Sequence, residues 1–500
     1  MSLRGDDAVI EERPWPLCVS DGVTLDASFV APAGTPPAAG WPAVLLVHGH
    51  GEDGSKAMTL DRGRRLAGRG IAALCLTVRG QGASEGLSFH LGARELFDLL
   101  EVIDAVMARP DVDADRVAVA GSSQGGWHAW MAACWHPRVR TCVPENIFVD
   151  YADFAVPDGC LSTWFFTRTM RRRVMSAGLQ DMARQWAIAG EWERLTAWLA
   201  PMSPSVHAAR IRCPVLVVHG WHDLGMPANP ILRTLAGLSA PWHLVIGGGG
   251  HDGQDDADAL RQRTTLVDAW LDHHLLGVGA APAPSKVTWV IRPGWEHAEA
   301  ARFEPDVRRT LYLRHGGQLL AEPAGAPTAN LNVTHVPRDP GYDLARALHH
   351  DLAGTLDAWP REEVRFDGQP LDTPLDLRGA PTFVLHLLPE RPWLQVHAEL
   401  WDVAPDGTAA RITRGQWGIR TAMPGRHLSV RIEARAMAWR VAAGHHLRVV
   451  VADQDPHHVV PEYRPYRARL FVDDVRASAV ELPVAQPGAD ELPAGERLGG

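Results

Sequence analysis

The sequence has no long apolar run and no cluster of basic residues. No segment approaches the roughly 18 consecutive apolar residues that a membrane-spanning helix needs. Asp and Glu (59) outnumber Lys and Arg (49), and the net charge is −10. This charge offers little to the phosphates of a nucleic acid and gives no reason to expect an anionic membrane as a partner. We therefore expect neither nucleic acid nor membrane among the partners.

A secretory signal and a regular cysteine framework are also missing. Residues 1–7 contain two aspartates and no apolar core. The six cysteines are scattered along the chain, at positions 18, 75, 134, 142, 160 and 213. Because several of them fall inside predicted core elements, we expect buried free thiols rather than disulfides. Free thiols are typical of a reducing compartment, so the predicted location is cytoplasmic.

The strongest functional pattern lies in residues 117–136. Val117–Ala120 is a run of small or branched apolar residues, which is typical of a buried strand. Gly121–Gly125 reads Gly-Ser-Ser-Gln-Gly, and a helical run begins near Trp127. Strand, sharp Gly-x-Ser-x-Gly turn and helix together form the nucleophile elbow of an α/β-hydrolase, in which the glycines make room for the turn. Ser123 is therefore the predicted nucleophile.

A second Gly-x-Ser-x-Gly match, Gly82–Gly86, lacks this context. The residues Arg79–Gly82 separate it from the preceding strand, and no helix begins at Gly86. Such pattern matches are often incidental in a glycine-rich chain. We interpret Ser84 as a loop residue.

Asp223 and His251 are the predicted partners of Ser123. A serine hydroxyl needs an adjacent base, and the base needs an acid that orients it. In this fold the acid and then the histidine follow the nucleophile along the chain. Each of the two residues comes just after a buried apolar strand, at the same edge of the sheet as the serine. Alternatives for the acid are Glu145, Asp150 and Asp153, and alternatives for the base are His48, His50, His219 and His222.

Two main-chain N–H groups are predicted to form the oxyanion hole. One belongs to Gln124, which follows the nucleophile, and the other comes from the loop after strand Ala43–Val47, with His50 as the candidate and Gly51 next. The spacing His48-x-His50 could also indicate a metal. No closed set of ligands at metal spacing accompanies it, so we expect neither a metal nor a cofactor.

The two halves of the chain differ in pattern. In residues 1–277, buried strands alternate with helices, which predicts a parallel sheet covered on both faces. This rhythm breaks at residues 146–204, where helices rich in Trp and Arg predict a cap over the active site; a peripheral excursion is the alternative. Residues 278–285 have linker composition, residues 286–485 contain short strand candidates that predict a β-sandwich or jelly roll, and residues 486–500 predict a loose tail.

These features resemble the cocaine esterase / Xaa-Pro dipeptidyl peptidase family of serine hydrolases. The similar stretches are Val78–Gly86, Ala269–Gly277, Trp289–Trp295, Tyr312–Leu319, Leu400–Gly407 and Ala443–Val449. The resemblance implies the α/β fold class, as an α/β-hydrolase with a helical cap followed by a C-terminal all-β jelly roll that helps to wall the pocket. It also implies hydrolysis of esters or amides through an acyl-enzyme. Family members often place a tyrosine in the early oxyanion loop, where this chain reads His48–Gly54 without one.

The function that follows is that of a serine hydrolase of the carboxylesterase, amidase or peptidase type. Its expected partner is a small ester or amide, or a short peptide. An acyltransferase with the same triad and an Xaa-Pro-type peptidase are alternatives, and a binding or scaffold protein with a vestigial triad is a further one. A homodimer and a monomer both stay open.

Overall fold

The computed structural model of the protein describes most of the chain. The described residues are 10–51, 54–170, 177–223, 225–251, 257–280, 286–294, 296–300, 303–323, 331–337, 343–349 and 361–485. Residues 281–285 of the predicted linker and the predicted tail at 486–500 lie outside these ranges, as do residues 171–176 of the predicted cap.

A ten-stranded sheet organises the first half of the chain. The twelve strands up to residue 300 are β1 (Glu11–Pro14), β2 (Leu17–Cys18), β3 (Thr24–Leu25), β4 (Ala27–Ala31), β5 (Trp41–Val47), β6 (Ala72–Leu76), β7 (Val112–Ser122), β8 (Thr141–Glu145), β9 (Val215–Gly220), β10 (Trp242–Gly247), β11 (Lys286–Ile291) and β12 (Glu296–Ala300). Their order is β1-β4-β6-β5-β7-β8-β9-β10-β11-β12, while β2 and β3 form a separate hairpin. The strands from β6 to β11 run parallel, as the alternating pattern predicts.

Helices connect the parallel strands. Outside the cap they are α1 (Ala57–Ala67), α2 (Ala93–Met107), α3 (Gln124–Trp135), α8 (Ala228–Ala236) and α9 (Ala257–Leu271), the last of which continues as a π-helical turn at Asp272–Leu276. Helix α3 is buried along nearly its whole length. It lies between the sheet and the last residues of the predicted cap, where the indole N–H groups of Trp127 and Trp130 donate to the carbonyls of Met202 (2.9 Å) and Pro204 (3.1 Å). The helix that carries the serine turn is thereby held on both sides.

The first strands after the predicted linker lie in this sheet. Residues Val287–Ile291, at the beginning of the predicted all-β region, form β11, which pairs in parallel with β10, and β12 pairs with β11. The physical reason is burial, since Val287 and Trp289 are 1% and 3% exposed in the core of the first sheet. A short apolar strand gives the same sequence pattern in either sheet.

The segment between β8 and β9 is helical. It contains α4 (Tyr151–Ala155), a 3₁₀ turn (Pro157–Gly159), a π-helical turn (Trp164–Thr169), α5 (Ala177–Ala189), α6 (Trp192–Leu199), a 3₁₀ turn (Ala200–Met202), α7 (Pro204–His207) and a 3₁₀ turn (Ala208–Arg210). Its apolar side chains, among them Phe165 and Leu195, belong to the same core as the central sheet. The helical segment is therefore part of the first domain and does not form a separate domain over the site.

The second half of the chain is rich in β-structure. Its elements are β13 (Arg308–Arg314), β14 (Gln318–Leu320), β15 (Leu331–His335), α10 (Leu344–His349), β16 (Glu363–Asp367), β17 (Leu375–Gly379), β18 (Thr382–Pro389), β19 (Leu394–Val403), β20 (Ala409–Ile419), β21 (Leu428–Glu433), β22 (Met437–Val441), β23 (His446–Ala452), β24 (Tyr466–Leu470) and β25 (Ala479–Pro483). Eleven of the strands form one sheet in the order β15-β24-β18-β25-β13-β14-β16-β23-β19-β20, with β21 beside β18. Alternation places Phe383, Leu385 and Leu387 of β18 in the core.

The two halves are joined by main-chain hydrogen bonds. Strands β17 and β22 pair with each other and not with the large sheet. Arg292, just after β11, donates its N–H to the carbonyl of Ala438 (3.0 Å) and accepts from the N–H of Arg440 (2.7 Å). An isolated β-bridge between Arg292 and Trp439 thus ties the end of β11 to β22 of the second domain.

Candidate active site

The turn between β7 and α3 has the strained geometry of a nucleophile elbow. Ser123 adopts φ 57° and ψ −116°, a region that residues with a side chain rarely occupy. Its N–H donates to the carbonyl of Glu145 at the end of β8 (2.8 Å), which holds the turn against the neighbouring strand. The serine comes at the carboxyl end of a central strand and at the beginning of a helix.

The flanking glycines are required by packing. A Cβ on Gly121 would lie 2.4 Å from the carbonyl oxygen of Val47, and a Cβ on Gly125 would lie 2.0 Å from the same atom. A Cβ on Gly126 would lie 2.6 Å from the carbonyl oxygen of Glu145. The turn therefore fits between β5 and β8 only without side chains at these positions.

The structure brings the three predicted triad residues into one hydrogen-bonded chain. His251 Nε2 lies 3.0 Å from Ser123 Oγ, and His251 Nδ1 lies 2.6 Å from Asp223 Oδ2. Asp223 is fully buried, and its other carboxylate oxygen accepts from the N–H groups of Gly225 (3.1 Å) and Met226 (3.0 Å). One oxygen of the carboxylate is thus bonded to main-chain N–H groups, and the other is bonded to the imidazole.

The loops that carry Asp223 and His251 are packed on each other. The N–H of Trp221 donates to the carbonyl of Gly247 (3.0 Å), and the N–H of His222 donates to that of Gly249 (3.1 Å). A Cβ on Gly220 would lie 2.3 Å from the Gly249 oxygen. The glycine-rich loop before His251 therefore allows close approach of two main-chain segments.

The alternative acids are engaged elsewhere. Glu145 is buried and bonds to the guanidinium of Arg62 (2.5 Å). Asp150 caps helix α4 by accepting from the N–H of Asp153 (3.0 Å). Burial, together with the neighbouring carboxylates of Asp158 and Asp150, raises the pKa of Asp153 to about 7. The imidazole of His251 is bonded to Asp223 and not to these groups.

Three of the alternative bases also have other roles. His48 accepts from the N–H of Val78 through Nε2 (3.1 Å) and donates through Nδ1 to the carbonyl of Gly49 (2.7 Å), and burial lowers its pKa to about 4. His219 donates to the Met226 carbonyl (2.7 Å), and burial lowers its pKa as well. His50 Nδ1 lies 3.0 Å from the side-chain oxygen of Gln124.

The predicted oxyanion loop lies directly beside Ser123. A Cβ built on Gly49 would lie 3.7 Å from the Cβ of Ser123, so the main chain of this loop approaches the serine closely. The Gln124 side-chain oxygen accepts from Gln81 Nε2 (2.8 Å) as well as lying beside His50, so three segments meet at this point. The two N–H donors, of Gln124 and His50, stay a prediction.

Ser84 of the second sequence match has a structural role. Its hydroxyl donates to the carbonyl of Thr77 (2.7 Å) and accepts from the N–H of Asp26 (2.8 Å). The residue is 9% exposed and ties the loop after β6 to the first strands.

The cap contributes one tryptophan to the site. The ring of Trp164 meets that of His251 edge-on, with 5.2 Å between the centroids, and a Cβ on Gly225 would lie 2.9 Å from the same indole. Trp186 instead packs against Trp198, and Trp192 lies under the guanidinium of Arg420 from the second domain. The side chain of Arg168, an arginine of the same helical segment, lies outside the described ones.

Two further residues hold the triad loops, and sequence reasoning missed both. Asn146, with φ 45°, donates through Nδ2 to the main-chain carbonyl of His251 (3.2 Å). Arg435, from the second domain, donates to the main-chain carbonyl of Asp223 (3.0 Å). Asn146 comes directly after strand β8, and this position is the sequence signal that places it at the edge of the sheet. Nothing near Arg435 in the sequence indicates its partner.

The described ranges contain neither a metal-binding cluster nor a helix that could span a membrane. No group of three or more His, Cys, Asp or Glu side chains there could hold a metal ion. Within the same residues, no helix is long and apolar enough to cross a membrane. All six cysteines are free thiols, four of them buried.

Family models cover both halves of the chain. Residues 21–192 and 175–253 match the X-Pro dipeptidyl-peptidase model (S15 family), and residues 280–470 match the model of the X-Pro dipeptidyl-peptidase C-terminal non-catalytic domain. A protein of Mycobacterium bovis that is provisionally named a serine esterase is 22% identical over 93% of this chain and 94% of its own length.

Two solved structures have the same fold over nearly the whole chain. An aminopeptidase from the marine sediment archaeon Thaumarchaeota archaeon superposes with a TM-score of 0.75 at 17% identity, covering 97% of this chain and 100% of its own. An α-amino acid ester hydrolase superposes with a TM-score of 0.72 at 18% identity, covering 97% and 99%. Fold and family models together define a serine hydrolase with an α/β-hydrolase domain and a β-rich C-terminal domain. The chain belongs to the X-Pro dipeptidyl-peptidase (S15) family.

Proposed function

We propose that the protein cleaves a carboxylic ester or amide through an acyl-enzyme formed on Ser123. The observation that carries the proposal is the continuous hydrogen-bonded chain from the buried Asp223 through His251 to the serine hydroxyl. Both partners of the imidazole lie within the distance that proton transfer requires.

Each residue has one role in the proposed reaction. His251 Nε2 takes the proton of Ser123 as Oγ attacks the carbonyl carbon, and Asp223 stabilises the imidazolium and its tautomer. The N–H groups of Gln124 and His50 donate to the oxyanion. The imidazolium then gives its proton to the departing alcohol or amine, and a water molecule, activated by the same histidine, releases the acid.

The surroundings favour a substrate with an apolar group next to the scissile bond. The edge-on contact of Trp164 with His251 places an indole beside the base. Such a surface binds an aromatic or aliphatic group better than a charged one. Dipeptidyl-proline amides are the second substrate class, because the matched family is described by that activity. The compartment, the oligomeric state and transfer to an acceptor other than water stay predictions.

The test compares the wild type with Ser123→Ala, using a fluorophosphonate probe and a short-chain nitrophenyl ester. Ser122→Ala is the matched control, since it removes the neighbouring hydroxyl of the same motif. We expect labelling and turnover in the wild type and in the control, and neither in Ser123→Ala. Labelling that survives in Ser123→Ala would contradict the assignment. Product analysis with added alcohol or amine, and a parallel assay with a dipeptidyl-proline amide, distinguish the reaction types.

A further inference from the structure

We propose that Arg435, in the C-terminal β-rich domain, is a positioning residue for the catalytic acid. It would act through the main chain of Asp223 and so set the orientation of His251. The inference rests on the proposed function, because it takes Asp223 as the acid of the triad. It gives the C-terminal domain a direct part in the reaction of the first domain.

The contact is a charged hydrogen bond in the interior of the protein. Arg435 lies between β21 and β22, is 8% exposed, and donates through Nη1 to the carbonyl oxygen of Asp223 (3.0 Å). The side chain of the same aspartate is held by the N–H groups of Gly225 and Met226. The acid is thereby fixed through both its carboxylate and its peptide group. Hydrogen bonds with one charged partner are roughly twice as strong as neutral ones.

The segment that carries Arg435 is itself anchored to the first domain. Asn229, at the beginning of α8, donates to the carbonyl of Ala434 (2.8 Å) and accepts from the N–H of Ala436 (2.7 Å). The N–H of Arg435 donates to the carbonyl of Arg414 (3.0 Å). The main chain is therefore held on both sides of the arginine. Neither the guanidinium nor the main chain that carries it can move without breaking several hydrogen bonds. Arg435 can therefore hold the main chain of Asp223 in a fixed position.

The charge of Arg435 is costly, and packing alone does not require it. Arg414 and Asp455 form a buried ion pair beside it, and the imidazole of His458 lies within 2.6 Å of Arg435 Nη2. Burial, and then the like charge of Arg414, lower the pKa of Arg435 to about 9, while the charge of Asp223 raises it. The guanidinium is still protonated at neutral pH. An apolar residue of similar volume would fill the space at lower cost in desolvation.

The competing explanation is that Arg435 only joins the two domains. Three variants separate the two explanations. Arg435→Met removes the donor and the charge, and Arg435→Lys keeps the charge with a different donor geometry. Ile432→Ala is the control: this side chain is 1% exposed in the core of the second domain, so its loss destabilises that domain without touching the acid loop.

We expect Arg435→Met to lower kcat by between about tenfold and a hundredfold, with KM within about twofold of the wild type. Arg435→Lys should recover part of this loss. Loss of position should also move the acidic limb of the kcat/KM profile to lower pH, since the imidazolium loses the support of a well-placed acid. Removal of a positive charge without any change of position would move the limb to higher pH. Ile432→Ala should lower the melting temperature and leave kcat per folded molecule unchanged.

Two results would overturn the inference. One is an unchanged kcat in folded Arg435→Met, as judged by thermal melting and by titration of active sites with the fluorophosphonate probe. The other is an equal loss of kcat in Ile432→Ala at a matched decrease in melting temperature. Failure of the proposed function itself looks different: the wild type would then show neither labelling by the probe nor turnover of the ester.

Discussion

Replacing Asp223 by asparagine tests the orientation of the whole triad. The carboxylate accepts two main-chain N–H groups on one oxygen, from Gly225 and Met226, and the His251 imidazole on the other. In the variant only the amide oxygen can accept from the two N–H groups, so the NH₂ group must face His251 Nδ1. The ring then has to accept at Nδ1 and carry its proton on Nε2. An imidazole protonated at Nε2 cannot take the proton of Ser123.

The expected loss follows from this tautomer. The same replacement in a Ser-His-Asp triad lowers kcat by about 10⁴-fold, which corresponds to about 5.4 kcal/mol of transition-state stabilisation. The fold should survive, because the variant keeps the shape of the side chain and both bonds to main-chain N–H groups. The assay measures kcat and kcat/KM with a nitrophenyl ester over a range of pH, beside thermal melting to confirm folding.

Asp150→Asn is the matched control. Asp150 was an alternative acid in the sequence, and in the structure it caps α4. Asparagine caps a helix about as well as aspartate does, so this variant should keep kcat within about twofold. A loss of less than about tenfold in Asp223→Asn would refute the tautomer argument. A large loss in Asp150→Asn would refute the choice of acid.

Three further predictions follow from packing and burial. Gly125→Ala should yield little folded protein, because its Cβ would lie 2.0 Å from a carbonyl oxygen. Gly237→Ala should be tolerated, because the atom nearest to its added Cβ is 3.8 Å away. Equal yields and equal melting temperatures of the two variants would contradict this prediction. Because burial raises the pKa of Asp153 to about 7, the folded protein keeps a proton that the unfolded chain loses above about pH 4, and stability falls as the pH rises through that window. Asp153→Asn should therefore raise the melting temperature by a few degrees at pH 8 and by less at pH 5, and equal shifts would show that its titration is unimportant. A thiol reagent should modify Cys18 and Cys213 in the native protein and the four buried thiols only after denaturation, so rapid loss of all six would contradict the described burial.

The elbow was predictable because its information is local. Strand, turn and helix lie within 20 consecutive residues, and the glycine requirement is visible as a pattern. Asp223 and His251 could be predicted as partners of Ser123 because parallel strands all end at one edge of a sheet. The residues that directly follow these strands therefore lie near Ser123. In the structure, Asp223 is within hydrogen-bonding distance of His251, and His251 is within hydrogen-bonding distance of Ser123.

The contact of Arg435 with the main chain of Asp223 could not be predicted from the sequence in the same way. Arg435 lies 212 positions after Asp223, and its own neighbourhood is an ordinary strand connection. The pairing of β11 with the first sheet could not be predicted for a related reason: the linker-like composition before it indicates a break in the chain, whereas strand pairing is decided by which sheet buries the side chains. Long-range partners of this kind have no periodic pattern in one sequence.

The position of β25 has a consequence for the synthesis of the protein. This strand lies between β13 and β18 in the second sheet. A ribosome releases residue 300, the last of the first sheet, long before residue 479, so the α/β sheet can form while the second sheet is still in two halves. Until β25 arrives, one edge each of β13 and β18 is without its final neighbour. These edges are where wrong pairing with other nascent chains is most damaging, and where a chaperone would have the most to protect.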